Sequence, residues 1–401
     1  MKKSILMLVA GLASVALVGC GQKSSEAETT KGNEVETTKG NEAETTKGSE
    51  AEIAVVTDVG QLRDGGFNQG TYEGAKEYAE ANKKSFTYYA PANGSDASDA
   101  DRIEARRLAI QNKAKIIVAP GYLQAAARRT VAKENPDIKF VFVDGWTLTD
   151  STDANGNDNG KALNNVTAIS YKEQESGYRA GYAVVKDGYT KLGGTFGGAG
   201  SNPACNRYAY GFAQGANDAA KARNKNVERK VSYRYGSSFK ATSELKTQRT
   251  GWYTSGTEII FSCGGSMVQS VVAASQEFDD NKKIVGVDVD QHALSENVIT
   301  SAQKGLAVSV KLALGEYYGN EWNSKLGGKT QNLGAAEDAT GLPTNDDAWR
   351  FKTFTKAEYN TLFNSIKNGT VTPRSDVDGD CNVESFWSKD IFSNISITLD
   401  K

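Results

Sequence analysis

Ile53-Ala54-Val55-Val56-Thr57 runs into Asp58-Val59-Gly60 and, after three residues, into Asp64-Gly65-Gly66-Phe67-Asn68-Gln69. A short β-branched run, a turn rich in glycine and aspartate, and a segment whose Tyr72, Ala75 and Ala79 share one helical face make a βα unit. The pattern repeats downstream. Residues 86–89 read as a strand and 101–112 as a helix; 115–119 read as a strand and 123–134 as a helix; Lys139-Phe140-Val141-Phe142-Val143 is a further strand. This alternation predicts an α/β fold, a parallel sheet with helices on both faces.

Beyond a glycine- and aspartate-rich loop at 150–160 the rhythm restarts. Strands are predicted at 166–170, 192–196, 231–235, 258–261 and 283–287, and helices at 175–185, 204–220 and 266–278. Two doubly wound parallel-sheet lobes with a cleft between them fit this second set. The expected division is 52–170 for one lobe, with a return segment at about 300–345, and 171–299 for the other; 346–401 form an elaboration packed on the lobes. Ligands in such sheets bind beyond the carboxyl ends of the strands. Those ends carry Asp58, Pro120-Gly121-Tyr122, Asp144-Gly145-Trp146, Gly197-Gly198, Phe239, Cys263-Gly264-Gly265 and Asp288-Val289-Asp290-Gln291. Each alone is an ordinary turn or helix cap. Together they outline a cleft with an aromatic and carboxylate lining.

The composition narrows the chemistry. With one histidine, His292, a His-based triad or zinc centre is not expected, and no Gly-x-Ser-x-Gly elbow or phosphate loop with lysine is present. No catalytic residues, cofactor or metal site are assigned. Asp376, Asp378 and Asp380 alternate, but Gly379 falls where a calcium loop would not have it. Net charge is −2, without the basic block that nucleic-acid binding calls for. Cys205, Cys263 and Cys381 are widely spaced and odd in number, so the sequence does not choose a disulfide pair.

Val55-Val56-Thr57-Asp58-Val59-Gly60 with Asp64-Gly65-Gly66-Phe67-Asn68-Gln69, and Gly286-Val287-Asp288-Val289-Asp290-Gln291, resemble the two signatures of the basic membrane protein lipoproteins. Gly197-Gly198 and 203–215 resemble that family's middle segment, and Gly66 stands where the family usually has serine. These are substrate-binding subunits of ABC importers and include purine nucleoside receptors. The resemblance, over about 52–314, implies a type I periplasmic-binding fold with a purine nucleoside between the lobes. Carried over by position, Phe67 and Phe239 sandwich the base, Asn68 and Asp144 meet its edge, Asp288 accepts the ribose hydroxyls, Lys311 donates to the ribose, and Asp58 and Gly265 line the cleft. An ABC permease and its ATPase are the implied partners of a monomeric binding protein. Two other functions fit the same chain: a different small molecule in the same fold, such as a sugar or riboflavin-like compound, and a surface adhesin using the 150–160 loop.

The amino terminus supplies the address. Lys2 and Lys3 precede an apolar stretch, and Leu17-Val18-Gly19-Cys20 matches a lipobox, so residues 1–19 read as a signal peptide and Cys20 as the lipidated residue. Its removal takes two lysines and no acids, moving the charge from −2 to −4. The repeat Glu-Thr-Thr-Lys-Gly-Asn/Ser-Glu-Val/Ala over 28–51 has almost no apolar surface to bury, so 20–51 are expected to be a flexible tether. The expected location is the outer face of the cell membrane, through the lipid.

Overall fold

The computed structural model describes residues 48–400, apart from 60, 201, 233–238, 279–280, 378–380, 382–383 and 388–391. Cys20, the signal peptide and nearly all of the expected tether lie outside the described residues, as do Asp378 and Asp380. Gly48 already hydrogen-bonds Tyr88, and Ala51 hydrogen-bonds Asn112.

In chain order the strands are β1 (Ile53–Val56), β2 (Phe86–Tyr89), β3 (Ile116–Pro120), β4 (Lys139–Val143), β5 (Val166–Tyr171), β6 (Lys191–Phe196) and β7 (Val227–Ser232). They continue as β8 (Ile259–Cys263), β9 (Lys283–Asp288), β10 (Val298–Lys304), β11 (Thr330–Leu333), β12 (Thr340–Gly341) and β13 (Ile395–Leu399). Two sheets result, with orders β11-β5-β4-β3-β1-β2 and β12-β10-β9-β8-β6-β7-β13. Every pairing is parallel except that of β12 with β10. In both sheets the order reverses beside the first strand, between β1 and β3 and between β6 and β8. A crevice opens at such switch points.

The helices are α1 (Phe67–Ala81), α2 (Asp99–Gln111), α3 (Ala125–Glu134), α4 (Glu173–Lys186), α5 (Pro203–Ala222), α6 (Ser243–Thr254), α7 (Met267–Ser275), α8 (Leu306–Tyr318) and α9 (Lys356–Lys367). Strand alternation decides which face each helix covers. Ile53 and Val55 of β1 pack with Ala75, Ala79, Leu306 and Val310 of α1 and α8. Ala54 and Val56 point the other way, onto Ala105, Ala109 and Val131 of α2 and α3. In the second sheet Ile259 and Phe261 meet Ala180, Ala209 and Phe212 of α4 and α5, whereas Ile260 and Ile284 meet Trp252 and Val268 of α6 and α7. The expected α/β, doubly wound, two-lobed architecture is thus what the chain adopts.

Helices α4 and α5 approach unusually closely. A Cβ on Gly181 would lie 2.0 Å from the Phe212 carbonyl oxygen, and one on Gly215 would lie 2.0 Å from that of Tyr178. Only glycine at these places lets the two backbones touch.

The chain crosses between sheets three times, after β5, after β10 and after β11. Side chains lock these crossings: Glu175 accepts from Ala335 N–H (2.6 Å) and Thr340 (2.7 Å), and Tyr171 shares a hydrogen bond with Ser309. One expectation shifts in position. Of the strand predicted at 231–235, 231–232 end β7, which begins at Val227, and 233–235 lie outside the described residues; the charged Glu228, Arg229 and Lys230 hide its first half from an apolar-run reading. At the far end of the chain, β13 pairs in register with β7, Ile395 opposite Val227, so the carboxyl-terminal segment extends the second sheet.

Candidate functional site

A cavity of about 320 Å³ lies between the two sheets, lined at the carboxyl ends of their parallel strands. Seven of the eight expected ligand residues face it: Asp58, Phe67, Asn68, Asp144, Phe239, Gly265 and Asp288. The eighth does not. Lys311, on α8, is 40 % exposed and pairs with Glu77 of α1 at 2.5 Å. A lysine that does line the cavity is Lys304, seven residues earlier at the end of β10. Lys304 is buried and bridges Asp144 (2.5 Å) of one lobe to Asp288 (3.2 Å) of the other.

The two aromatic walls are built differently. Phe67 is the first residue of α1 and lies half-buried, with the Lys304 ammonium 4.6 Å from its ring centroid. Phe239 has φ of +57° and rests on the backbone of the opposite lobe. Side chains at Gly197 and Gly264 would strike its ring, at 2.2 and 2.8 Å, and a Cβ on Gly265 would come within 2.7 Å of its carbonyl oxygen. Glycines at the ends of β6 and β8 therefore form the shelf on which Phe239 sits. Trp146 adds an outer wall. Its indole N–H donates to Asp158 at 2.7 Å, and Asp158 is fixed in turn by Arg129 (2.8 Å) and the Thr149 N–H (2.6 Å). The 150–160 loop thus has a structural task, holding Trp146 at the mouth of the cavity.

Asn68 lines the cavity with its amide already engaged. Its Oδ1 accepts from the Asp58 N–H at 2.8 Å, and its Nδ2 donates to the Val59 and Gln61 carbonyls at 3.1 and 3.3 Å. Both amide hydrogens are spent on the loop that presents Asp58. Asn68 shapes the site; the expected donor to a base edge is not free.

Several polar atoms at or beside the cavity are without a protein partner: Asp58 Oδ1, Asp144 Oδ1, Glu173 Oε1 and the Tyr208 hydroxyl. Burial pushes the Asp58 carboxyl up to about 6, against the pull of Arg102, Arg106 and Arg128 behind it. Burial likewise pushes Asp288 up to about 6, with Lys304 opposing and Asp144 assisting. Burial works against a charged Lys304, yet Asp144, Asp288 and Glu173 hold its pKa well above the ordinary lysine value. Arg207, on α5, is half-buried and donates to Glu173 at 2.6 Å. The sequence hides Lys304 because Val298-Ile299-Thr300-Ser301-Ala302-Gln303 mixes small polar residues with apolar ones and does not read as a strand. With β10 recognised, the strand-end rule points straight at Lys304.

The lobes touch around the rim. Gln291 Nε2 donates to the Gly65 carbonyl (2.8 Å), and Lys240 pairs with Asp96 (2.9 Å). Among the described residues no group of His, Cys, Asp and Glu suits a metal ion, and no helix is long and apolar enough to cross a membrane.

Residues 51–373 match the family described as ABC transporter substrate-binding protein PnrA-like, or Bmp. The chain belongs to that family. Among curated Bmp relatives, the ABC transporter nucleoside-binding protein BmpA of Lactococcus lactis is 29 % identical over 305 residues, covering 74 % of this chain and 76 % of that one. Basic membrane protein B of Borreliella burgdorferi is 26 % identical, covering 74 % and 81 %. An ABC transporter solute-binding protein structure from Aeropyrum pernix K1 superposes with a TM-score of 0.60 at 19 % identity, over 80 % of this chain and 86 % of that one. One from Conexibacter woesei gives 0.56 at 18 % identity, over 81 % and 99 %. These likenesses establish the type I periplasmic-binding fold, as the Bmp resemblance of the sequence implied.

Proposed function

We propose that this Bmp-family protein captures a purine nucleoside between its lobes and delivers it to an ABC permease and its ATPase from the outer face of the cell membrane, where a lipid on Cys20 holds it. One observation carries the reading: aromatic rings from opposite lobes, Phe67 and Phe239, face one cavity whose remaining lining is rich in buried carboxylates. An aromatic stack on each face suits a flat base and contributes on the order of 1–3 kcal/mol per base. Micromolar binding needs about 8 kcal/mol, so polar contacts must supply the rest. Asp58 and Asp144 each keep an acceptor oxygen for a base N–H or exocyclic amine, and Asp288 suits vicinal ribose hydroxyls. The carboxylates outnumber Lys304 and Arg207, which disfavours a phosphorylated ligand. The name of the Lactococcus lactis relative supports a nucleoside as cargo.

Closure follows from the same geometry. A ligand touching both lobes binds the closed state better than the open one and shifts the population toward it. The chain's own residues bind and orient; transport across the membrane belongs to the permease. Isothermal titration of protein refolded free of ligand should give heat with guanosine, inosine or adenosine, and much less with the 5′-monophosphates. No heat with any of the three nucleosides would sink the reading, and native mass spectrometry of freshly purified protein would then give the mass of the true cargo.

A further inference from the structure

Two thiols stand in the cavity wall, outside the aromatic and carboxylate contacts described above. Cys205 lies in the first turn of α5, its N–H held by the Asn202 side chain at 2.9 Å. Cys263 ends β8, and its carbonyl accepts from the Gly197 N–H at 2.8 Å. Both line the cavity, Cys205 being 6 % and Cys263 2 % exposed, and their sulfurs are 3.9 Å apart. A disulfide needs about 2.05 Å between sulfurs, so each side chain has to swing by only about 1 Å. The third buried thiol, Cys381, points to Asn206 Oδ1 at 2.8 Å. Three pairings were open in the sequence; the fold brings one of them into sulfur contact.

We propose that Cys205 and Cys263 form a redox-active dithiol in the wall of the ligand cavity, converted to a disulfide by a small peroxide that enters the cavity. Cys205, the more exposed, attacks one peroxide oxygen as its thiolate. The S–O bond forms as the O–O bond breaks, and the leaving hydroxide takes up the thiol proton as water. Cys263 then attacks the Cys205 sulfur. The S–S bond forms, the S–O bond breaks, and hydroxide leaves with the second thiol proton as water. Two thiols lose two electrons and one hydrogen peroxide becomes two waters. The product ties the first turn of α5, the helix that brings Arg207 and Tyr208 to the cavity lining, to the strand end that supports Phe239. Oxidation thereby fixes one wall of the site. An extracytoplasmic protein meets oxidants that the cytosol would quench.

The test needs no ligand, so it stands or falls apart from the nucleoside reading. The full chain is reduced, freed of reductant, treated with hydrogen peroxide, alkylated in denaturant, digested and mapped by mass spectrometry. The expected product is a peptide pair joined through Cys205 and Cys263, lost on adding dithiothreitol. In Cys263→Ser the reaction should halt at a Cys205 sulfenic acid that dimedone traps. If that variant does not fold, the wild-type map decides alone. Recovery of both cysteines as free thiols, at a peroxide dose that oxidises a cysteine peptide in the same tube, overturns the proposal. A cross-link running to Cys381 overturns it equally.

Discussion

Asp288 shows how a buried carboxylate at the site ties binding to pH. Its folded pKa of about 6 stands above the ordinary carboxylate value near 3.9, so the folded chain holds this proton more tightly than the unfolded chain. Its contribution to stability therefore rises as pH falls from about 6 to about 4, and at neutral pH the ionised group costs on the order of 1–3 kcal/mol. In the proposed binding mode, where ribose hydroxyls donate to the ionised form, ligand binding has the opposite sign. Asp288→Asn leaves Lys304 its closer partner, Asp144. It should melt no lower than wild type at pH 7.5, show a flatter dependence of melting temperature between pH 4 and 6, and bind guanosine about ten- to a hundredfold more weakly, the range expected for lost hydrogen bonds to a charged group. Thermal melts and titration calorimetry at two pH values read both effects. Phe239→Ala should also weaken binding, by roughly the 1–3 kcal/mol of one stacked face, and should lower the melting temperature less than deletion of a fully buried phenylalanine would, because the ring is only partly buried against the core. The residue scale is also where sequence reading was weakest. Phe67 and Asp288 were legible because each follows a recognisable strand. Lys304 stays hidden because β10 mixes small polar residues with apolar ones, and Lys311 misleads because spacing alone does not show that it turns outward from α8 to Glu77.

At the scale of elements, the contact between α4 and α5 separates two kinds of glycine. Gly181 has the Phe212 carbonyl oxygen where its Cβ would go, whereas Gly251 on α6 has nothing within 4 Å of that point. Gly181→Val should cost about 1–3 kcal/mol or more through overpacking. Gly251→Ala should stabilise by about 0.4–1 kcal/mol, because it restricts the unfolded chain and strains nothing. Urea midpoints for the two variants should move in opposite directions. The elements of the first lobe were readable because β1, β3 and β4 are buried on both faces and appear as unbroken apolar runs. Elements with mixed faces escaped: β10 carries Thr300, Ser301 and Gln303, and α6 presents Lys246, Gln248 and Arg249 among its few apolar residues. β13 alternates buried and exposed positions over five residues, too short a run to stand out without its partner β7.

At the scale of the molecule, the proposed capture requires two lobes joined by three crossings to open for the ligand, and the rim contacts are expected to set how readily they do. The Lys240–Asp96 pair is exposed and joins lobe to lobe. Such pairs are worth about 0–1 kcal/mol and are screened by salt. Lys240→Ala should speed nucleoside release by up to about fivefold at low ionic strength and leave it unchanged in about 0.5 M salt, where screening has already removed the pair. Stopped-flow displacement at the two salt levels makes the comparison. Release unaltered by the substitution at low salt would show that the pair does not govern opening.

Trp146 should turn the proposed closure into an optical signal. Of the five tryptophans it alone is exposed, at 42 %, and the Asp158 loop keeps its indole at the cavity mouth. Water around an indole lowers the energy of its emission, so Trp146 should dominate the long-wavelength edge of the protein's fluorescence. A purine arriving against that ring should dim this edge and leave the blue emission of the buried tryptophans in place. On the proposed reading Trp146 is an occupancy gauge built into the cavity, and Trp146→Phe should silence it while ligand still binds.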